Sequence, residues 1–147
     1  MKYHTFILSV AVLLIVTGCS NKVPLSGIVT FSDDGTPLPQ GAILFQSETI
    51  LAQGGIQPDG TYRVGTDKQT DGLPLGTYQV CITGTDKIEF AADRVTAVDS
   101  SGAGLGGQRE IRTPLIDPKY ASATTSELTF TVDGKTKKFD IQVDRAK

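Results

Sequence analysis

From residue 25 onward, apolar and polar residues alternate with a period of two, and turn-forming residues interrupt the alternation at short intervals. Such a period sends successive side chains to opposite faces of a strand, so it predicts antiparallel strands in a sandwich or barrel, with little helix. The first run, Leu25 to Phe31, puts Val29 and Phe31 on one face and ends at Asp33-Asp34-Gly35, a turn signal because glycine takes positive φ freely. The second, Gly41 to Gln46, aligns Ile43 and Phe45. The third, Leu51 to Gln57, turns Ala52, Gly54 and Ile56 inward, and side chains that small predict the close approach of another strand. Pro58-Asp59-Gly60 then reverses the chain, with proline presetting φ at the first corner.

Two strands carry the same pattern. Gly60-Thr61-Tyr62-Arg63-Val64 and Gly76-Thr77-Tyr78-Gln79-Val80 both read Gly-Thr-Tyr-x-Val, which places tyrosine and valine on one face and the polar residue on the other. Tyr62, Val64, Tyr78, Val80 and Ile82 are therefore expected in the core, with the tyrosine hydroxyls at its rim. A ligand-stacking role for the tyrosines is the alternative. The same phase puts Cys81 on the opposite face from Val80.

Between Gly84 and Pro114 the alternation fades. Ile88, Phe90 and Val95 extend a strand or form a short helical turn, and Ser100 to Gly107 reads as an exposed glycine- and serine-rich loop. A connection of this length is either functional or loosely ordered. Pro114 to Tyr120 predicts a tight turn. A closing hairpin follows, with Leu128, Phe130 and Val132 inward on Glu127 to Val132, a turn at Asp133-Gly134, and Phe139, Ile141 and Val143 inward on Lys137 to Val143. The count is seven strands, an all-β fold.

The N-terminus differs in kind. Lys2 and His4 lead into an apolar run from Phe6 to Val16, too short for a permanent membrane span and the right length for the core of a secretory signal helix. The run ends in Val16-Thr17-Gly18-Cys19, which resembles the lipobox of bacterial lipoproteins. The resemblance implies cleavage between Gly18 and Cys19, a diacylglycerol on the Cys19 thiol, and acylation of the new amine with a fatty acid such as palmitate. The expected organisation is a signal peptide over 1–18, the lipidated cysteine and a short tether over 19–24, and one β-domain over 25–147. Ser20 to Pro24 reach at most about 18 Å when extended, which would hold the domain against the membrane. In envelope sorting, an aspartate after the lipidated cysteine favours the inner membrane; Ser20 stands there instead and tips the expectation toward the outer membrane.

Cleavage would leave 129 residues, enough for one domain with its own core, carrying 13 basic residues against 16 acidic ones, a formal charge of −3. That mild acidity argues against nucleic acid, whose binding needs a basic stripe. Lys135, Lys137 and Lys138 are the one basic cluster and read as a solvated turn. His4, the single histidine, lies in the signal, so neither a Ser-His-Asp nor a Cys-His arrangement nor a histidine zinc site can be built from the mature chain. Cys19 would be consumed by lipid, leaving Cys81 either shielded as a small apolar residue or bridging to another chain.

Other motifs carry less. Gly102-Ala103-Gly104-Leu105-Gly106-Gly107 matches G-x-G-x-x-G, yet the fingerprint needs a strand before it and a helix after it, and the stretch that follows, Gln108 to Pro114, is short and ends in proline, so flexibility explains it better. Asp33, Asp34, Asp59, Asp67, Asp71 and Asp86 are potential oxygen ligands for calcium, but none shows the dense spacing of a dedicated loop, and turn chemistry explains each. Two distant carboxylates for glycoside hydrolysis are not ruled out by spacing; no tryptophan is present to stack on a sugar. No catalytic residue, cofactor or metal is expected.

Taken together, Leu25-Ser26-Gly27-Ile28-Val29-Thr30-Phe31, Pro37-Leu38-Pro39 before Gly41, Pro58-Asp59-Gly60-Thr61-Tyr62, Gly76-Thr77-Tyr78-Gln79-Val80 and Pro118-Lys119-Tyr120 ahead of Ser126 and Leu128 resemble small bacterial envelope lipoproteins with a carboxypeptidase regulatory-like domain. The resemblance implies a seven-stranded antiparallel sandwich of the transthyretin-like, or Ig-like, kind and carries over no catalytic residue. Hydroxyisourate hydrolases share the transthyretin-like fold, but they depend on histidines and a C-terminal Tyr-Arg-Gly-Ser, where this chain has no mature histidine and reads Asp144-Arg145-Ala146-Lys147. The expected function is a lipid-anchored, non-catalytic structural or interaction module of the cell envelope, its partner an envelope protein or glycan. The alternative is a lipoprotein that binds a sugar, peptide or ion through the 84–114 loop. A carboxylate hydrolase is a third reading with no residue pattern behind it.

Overall fold

A computed structural model describes residues 21–68, 70–92 and 108–147 of the 147-residue chain. Its strands are β1 (Leu25–Phe31), β2 (Ala42–Gln46), β3 (Leu51–Gly55), β4 (Thr61–Val64), β5 (Gly76–Thr83), β6 (Asp86–Ala92), β7 (Gln108–Pro114), β8 (Leu128–Val132) and β9 (Ile141–Val143), with a 3-10 turn at Pro118–Ala121. The fold is all-β, as the alternation predicts. β1 buries every second residue, and β3 and β4 do the same. The expected signal helix and the Gly18-Cys19 cleavage and lipidation site lie outside the described residues.

Three strands in the order β4-β1-β9 make one sheet, and four in the order β3-β2-β5-β8 make the other. Their apolar faces meet in one core. Val29, Tyr62, Val64 and Val143 come from the first sheet, and Ile43, Phe45, Tyr78, Val80 and Ile82 from the second. Phe45 ties the layers together: its ring lies 6.5 Å from Tyr62 across the interface and 6.3 Å, edge-on, from Phe130 in its own sheet. Offset and edge-on aromatic pairs of this kind add about 0.5–1.5 kcal/mol beyond the area they bury.

The two Gly-Thr-Tyr-x-Val strands therefore lie in opposite sheets. Both tyrosines are core residues whose hydroxyls find a carbonyl at the rim, Tyr62 donating to Phe139 O and Tyr78 to Pro74 O at 3.0 Å. Gly54 accounts for the small inward residues of β3, because a Cβ there would stand 2.2 Å from the Arg63 carbonyl oxygen. The edges of the two sheets, β3 and β4, touch at this point, where Gln53 and Gly65 exchange backbone hydrogen bonds of 3.0 Å.

Three expectations are corrected. The described residues form nine strands: the two facing sheets hold seven, and β6 and β7 form a further two-stranded ribbon within the stretch expected to be a loop. The ribbon is paired from Asp86↔Pro114 to Ala92↔Gln108. The pairing is also not antiparallel throughout, since β9 runs parallel to β1 with Val29 opposite Ile141.

The third correction concerns Asp133-Gly134, which does not close a hairpin. β8 pairs with β5, and β9 pairs with β1 in the opposite sheet. The Asp133 carboxylate accepts from the amides of Lys135 (2.9 Å) and Thr136 (2.8 Å), and Gly134 sits at φ 82°. This local turn sends the chain across the sandwich, where Ser26 N donates to Lys137 O and Phe139 N to Ser26 O. Both flanking strands keep their apolar face on the same core, so the alternation is satisfied by a crossover as well as by a hairpin.

Candidate functional site

The junction of the N-terminal segment with the sandwich is built from the expected tether. Val23 is buried and exchanges hydrogen bonds with Leu73, N to O at 2.7 Å and O to N at 2.9 Å. Lys22 reaches Asp67 at 2.5 Å and Asp71 at 2.6 Å. The Lys22 ammonium, aided by the amides of Thr66 and Asp67, holds the Asp71 carboxyl well below the usual carboxylate range. Residues 22–24 thus belong to the domain, and Ser20 and Asn21 alone separate Cys19 from it.

Strand register fixes what lies near that junction. Leu73 and Pro74 lead directly into the Gly76 end of β5, and Leu75 packs within 3.5 Å of the position a Gly134 Cβ would take. The exposed Lys137 and Lys138 lie beside Ser26. β5 then runs eight residues to Thr83, about 26 Å at strand rise, and the β6–β7 ribbon leaves from that far end.

Along the meeting edges of β3 and β4 runs an open groove of about 950 Å³. Gly27, Gly54 and Gly65 floor it, and Gln53, Gln57 and Arg63 are among the polar side chains that line it. Amide, hydroxyl and guanidinium donors in such a groove suit hydrogen bonding to a polar ligand. Among the described residues its lining contains no imidazole or thiol.

The acidic loop residues are engaged by their own turns and by cations. Arg145 stacks its guanidinium 3.7 Å from the Phe31 ring centre and donates to Asp33 (2.8 Å), Asp34 (2.8 Å) and the Thr36 hydroxyl (2.9 Å). Hydrogen bonds from the Thr36 hydroxyl and amide, with Arg145 behind them, lower the Asp34 carboxyl to about 2. Asp144 accepts from Lys119 (2.6 Å), Ser32 (2.7 Å) and Tyr120 (3.1 Å), and Lys119 foremost lowers it to about 2. Asp59 caps the turn before β4 by accepting from the Thr61 amide and hydroxyl. Of the six aspartates considered for calcium, Asp33 and Asp34 lie together, Asp67 and Asp71 lie together around Lys22, and Asp59 serves its turn; Asp86 opens β6, where its carbonyl accepts from the Gln40 amide at 2.7 Å.

Cys81 is 6% exposed although Val80 and Ile82 beside it face the core. At Cys81 the outer face of β5 is covered as well, whereas Thr77 and Gln79 on that face are exposed. The segment after the 3-10 turn lies over its outer face, with the Ser126 hydroxyl donating to Val80 O, and burial pushes the thiol pKa up. Alternation alone placed Cys81 outward and was silent about this second cover.

In the 84–114 stretch the strand alternative at Ile88 and Phe90 is the one observed, and its partner strand at Gln108–Pro114 is additional to the expected elements. Lys87-Ile88-Glu89-Phe90 and Arg109-Glu110-Ile111-Arg112 both alternate, which is the available signal. Ile88 is 50% exposed, Phe90 65% and Ile111 42%. The Ser100 to Gly107 loop and the G-x-G-x-x-G match within it lie outside the described residues. Compared with family models, curated proteins and solved structures, the chain matches none.

Proposed function

We propose that this chain is a lipid-anchored, non-catalytic structural or interaction module of the bacterial cell envelope, related to the envelope lipoproteins with a carboxypeptidase regulatory-like, transthyretin-like domain. The observation that carries the reading is the docking of Lys22 and Val23 a few residues beyond the lipobox cysteine. A lipid on Cys19 would be followed by only Ser20 and Asn21, a span of about 7 Å. The Val23 end of the sandwich would then lie on the bilayer, and the ribbon would be its outermost element. Two facing sheets and the absence of a mature histidine fit a scaffold better than an enzyme. Anchoring through the periplasmic or exterior face of the envelope, with the outer membrane favoured by Ser20, belongs to the same reading.

Labelling cells with radioactive palmitate tests it. The wild-type chain is expected to take up label and Cys19→Ala to take up none. An unlabelled wild type, or label that persists in the variant, overturns the anchor, and specific turnover of any substrate by the purified protein overturns the non-catalytic part.

The exposed Ile88 and Phe90 favour a second reading, in which the 84–114 stretch binds a peptide or other ligand. Deleting Ser100 to Gly107 should abolish such binding, and unchanged affinity would count against it.

A further inference from the structure

The β6–β7 ribbon is an unfinished sheet. Among the described residues, none of the ribbon's side chains belongs to the core cluster, each of its strands pairs only with the other, and the one further hydrogen bond it receives is from the Gln40 side-chain amide to the Asp86 carbonyl. An isolated two-stranded ribbon is marginally stable in water and gains most from further strands. Register places Ile88 and Phe90 on one face, opposite Arg112 and Glu110, and Lys87 and Glu89 on the other, opposite Thr113 and Ile111. Two large apolar side chains thus stand side by side and exposed on one strand, beside an edge that no strand among the described residues covers.

The charges on that strand are self-complementary. Lys87-Ile88-Glu89 places a cation and an anion symmetrically about an isoleucine, and the two already meet at 2.7 Å along the strand. An antiparallel pair of identical strands centred on Ile88 sets each Lys87 opposite the other copy's Glu89, and the two Ile88 side chains opposite each other. Phe90 then lies diagonal to the other copy's Ile88, within reach for an aromatic side chain. β7 has the same symmetry in Glu110-Ile111-Arg112, but its one apolar residue stands on the other face, without a neighbour like Phe90.

We propose that the β6 edge is a homodimerisation surface: β6 of one copy pairs antiparallel with β6 of a second copy about a two-fold axis through Ile88, giving a four-stranded β7-β6-β6-β7 sheet with the two Ile88 side chains paired at its centre and each Phe90 diagonal to them, opposite the other copy's Asp86. A two-fold axis makes each contact twice, which is the usual economy of a symmetric dimer. The interface lies at the end of the domain remote from Val23, so it is open to a copy held on the same surface or free in solution, and the proposal does not depend on the lipid anchor.

Charge exchange tests it. The detergent-solubilised full chain is expected to sediment as a dimer at sub-millimolar concentration. Lys87→Glu and Glu89→Lys each set like charges opposite one another twice, and each should weaken the dimer at least about tenfold. The double variant restores opposition and should return the dimer to wild-type strength. Protection of the Cys81 thiol reports that every variant is folded. A monomeric wild type, single variants that dimerise as wild type does, or a double variant that fails to recover would each overturn the proposal.

Discussion

Val23 and Leu73 face each other across the edge of the sandwich and exchange both of their backbone hydrogen bonds, at 2.7 and 2.9 Å. This single antiparallel bridge, with the Lys22 ion pairs beside it, docks Lys22 and Val23 on the domain. Gly72 permits it, with φ 87° and a position where a Cβ would stand 2.3 Å from the Val23 carbonyl oxygen. Gly72→Ala should therefore detach residues 22–24 without unfolding the sheets. Amide exchange at Val23 and Leu73 should accelerate while that of β2 and β5 stays slow, and unchanged protection at Val23 would refute the docking.

Tyr62 stitches β4 to the segment that precedes β9 through its hydroxyl on the Phe139 carbonyl. Tyr62→Phe keeps the ring against Phe45 and removes only that donor. A loss of about 1–2 kcal/mol in denaturant unfolding is expected, the cost of a part-buried carbonyl left without its partner. A loss within error would mean that water replaces the hydroxyl freely.

Neighbouring glycines in β3 should behave oppositely. Gly54→Ala drives a methyl into the Arg63 backbone and should cost about 2 kcal/mol or more, whereas nothing lies within 4 Å of a Cβ at Gly55. Gly55→Ala should be neutral or slightly stabilising, within about 0.5 kcal/mol, because alanine loses less chain entropy on folding. Thermal melts of the two variants, compared side by side, check the contact between the sheet edges.

The Cys81 thiol should be inert in the folded protein. In a Cys19→Ala chain, where it is the remaining thiol, a disulfide reagent should react slowly under native conditions and fully in denaturant, because the segment through Ser126 covers it and burial raises its pKa. Fast native reaction would put the thiol on the surface.

Acid stability should report Asp144 and Asp34. Each carboxyl is lowered from 3.8 to about 2 by its hydrogen bonds and cation, so it binds its proton more weakly in the folded chain than in the unfolded one. Their contribution is complete above the unfolded value near 3.8 and drains away as pH falls toward about 2. Both groups are open to solvent, so salt should shrink the effect. Asp144→Asn should flatten the fall in melting temperature between pH 4 and pH 2; a curve parallel to wild type would show that Lys119, Ser32 and Tyr120 do not hold the charge in solution.

Strand positions and inward faces were legible because they are local. Val29 and Phe31, Tyr62 and Val64, Ile141 and Val143 each declare a face by alternation alone, and the core contains all of them. Pro58-Asp59-Gly60 likewise contains its whole turn, with Gly60 at φ 79° and Asp59 capping Thr61. The ribbon was harder to see because fifteen residues separate its strands in the sequence and its exposed Ile88 and Phe90 belong to no buried face.

By itself, the sequence determined the all-β character, the core-facing residues and the turns, since each depends on side chains within a few positions of one another. Only the tertiary structure decided which strands pair. Asp133-Gly134 bends the chain equally well for a hairpin or a crossover, and the choice fell to distant groups: Ser26 receiving Phe139, Val29 beside Ile141, and β8 taken by β5. The burial of Cys81 and the docking of Val23 were decided in the same way, by segments 45 and 50 positions away that alternation along one strand does not register.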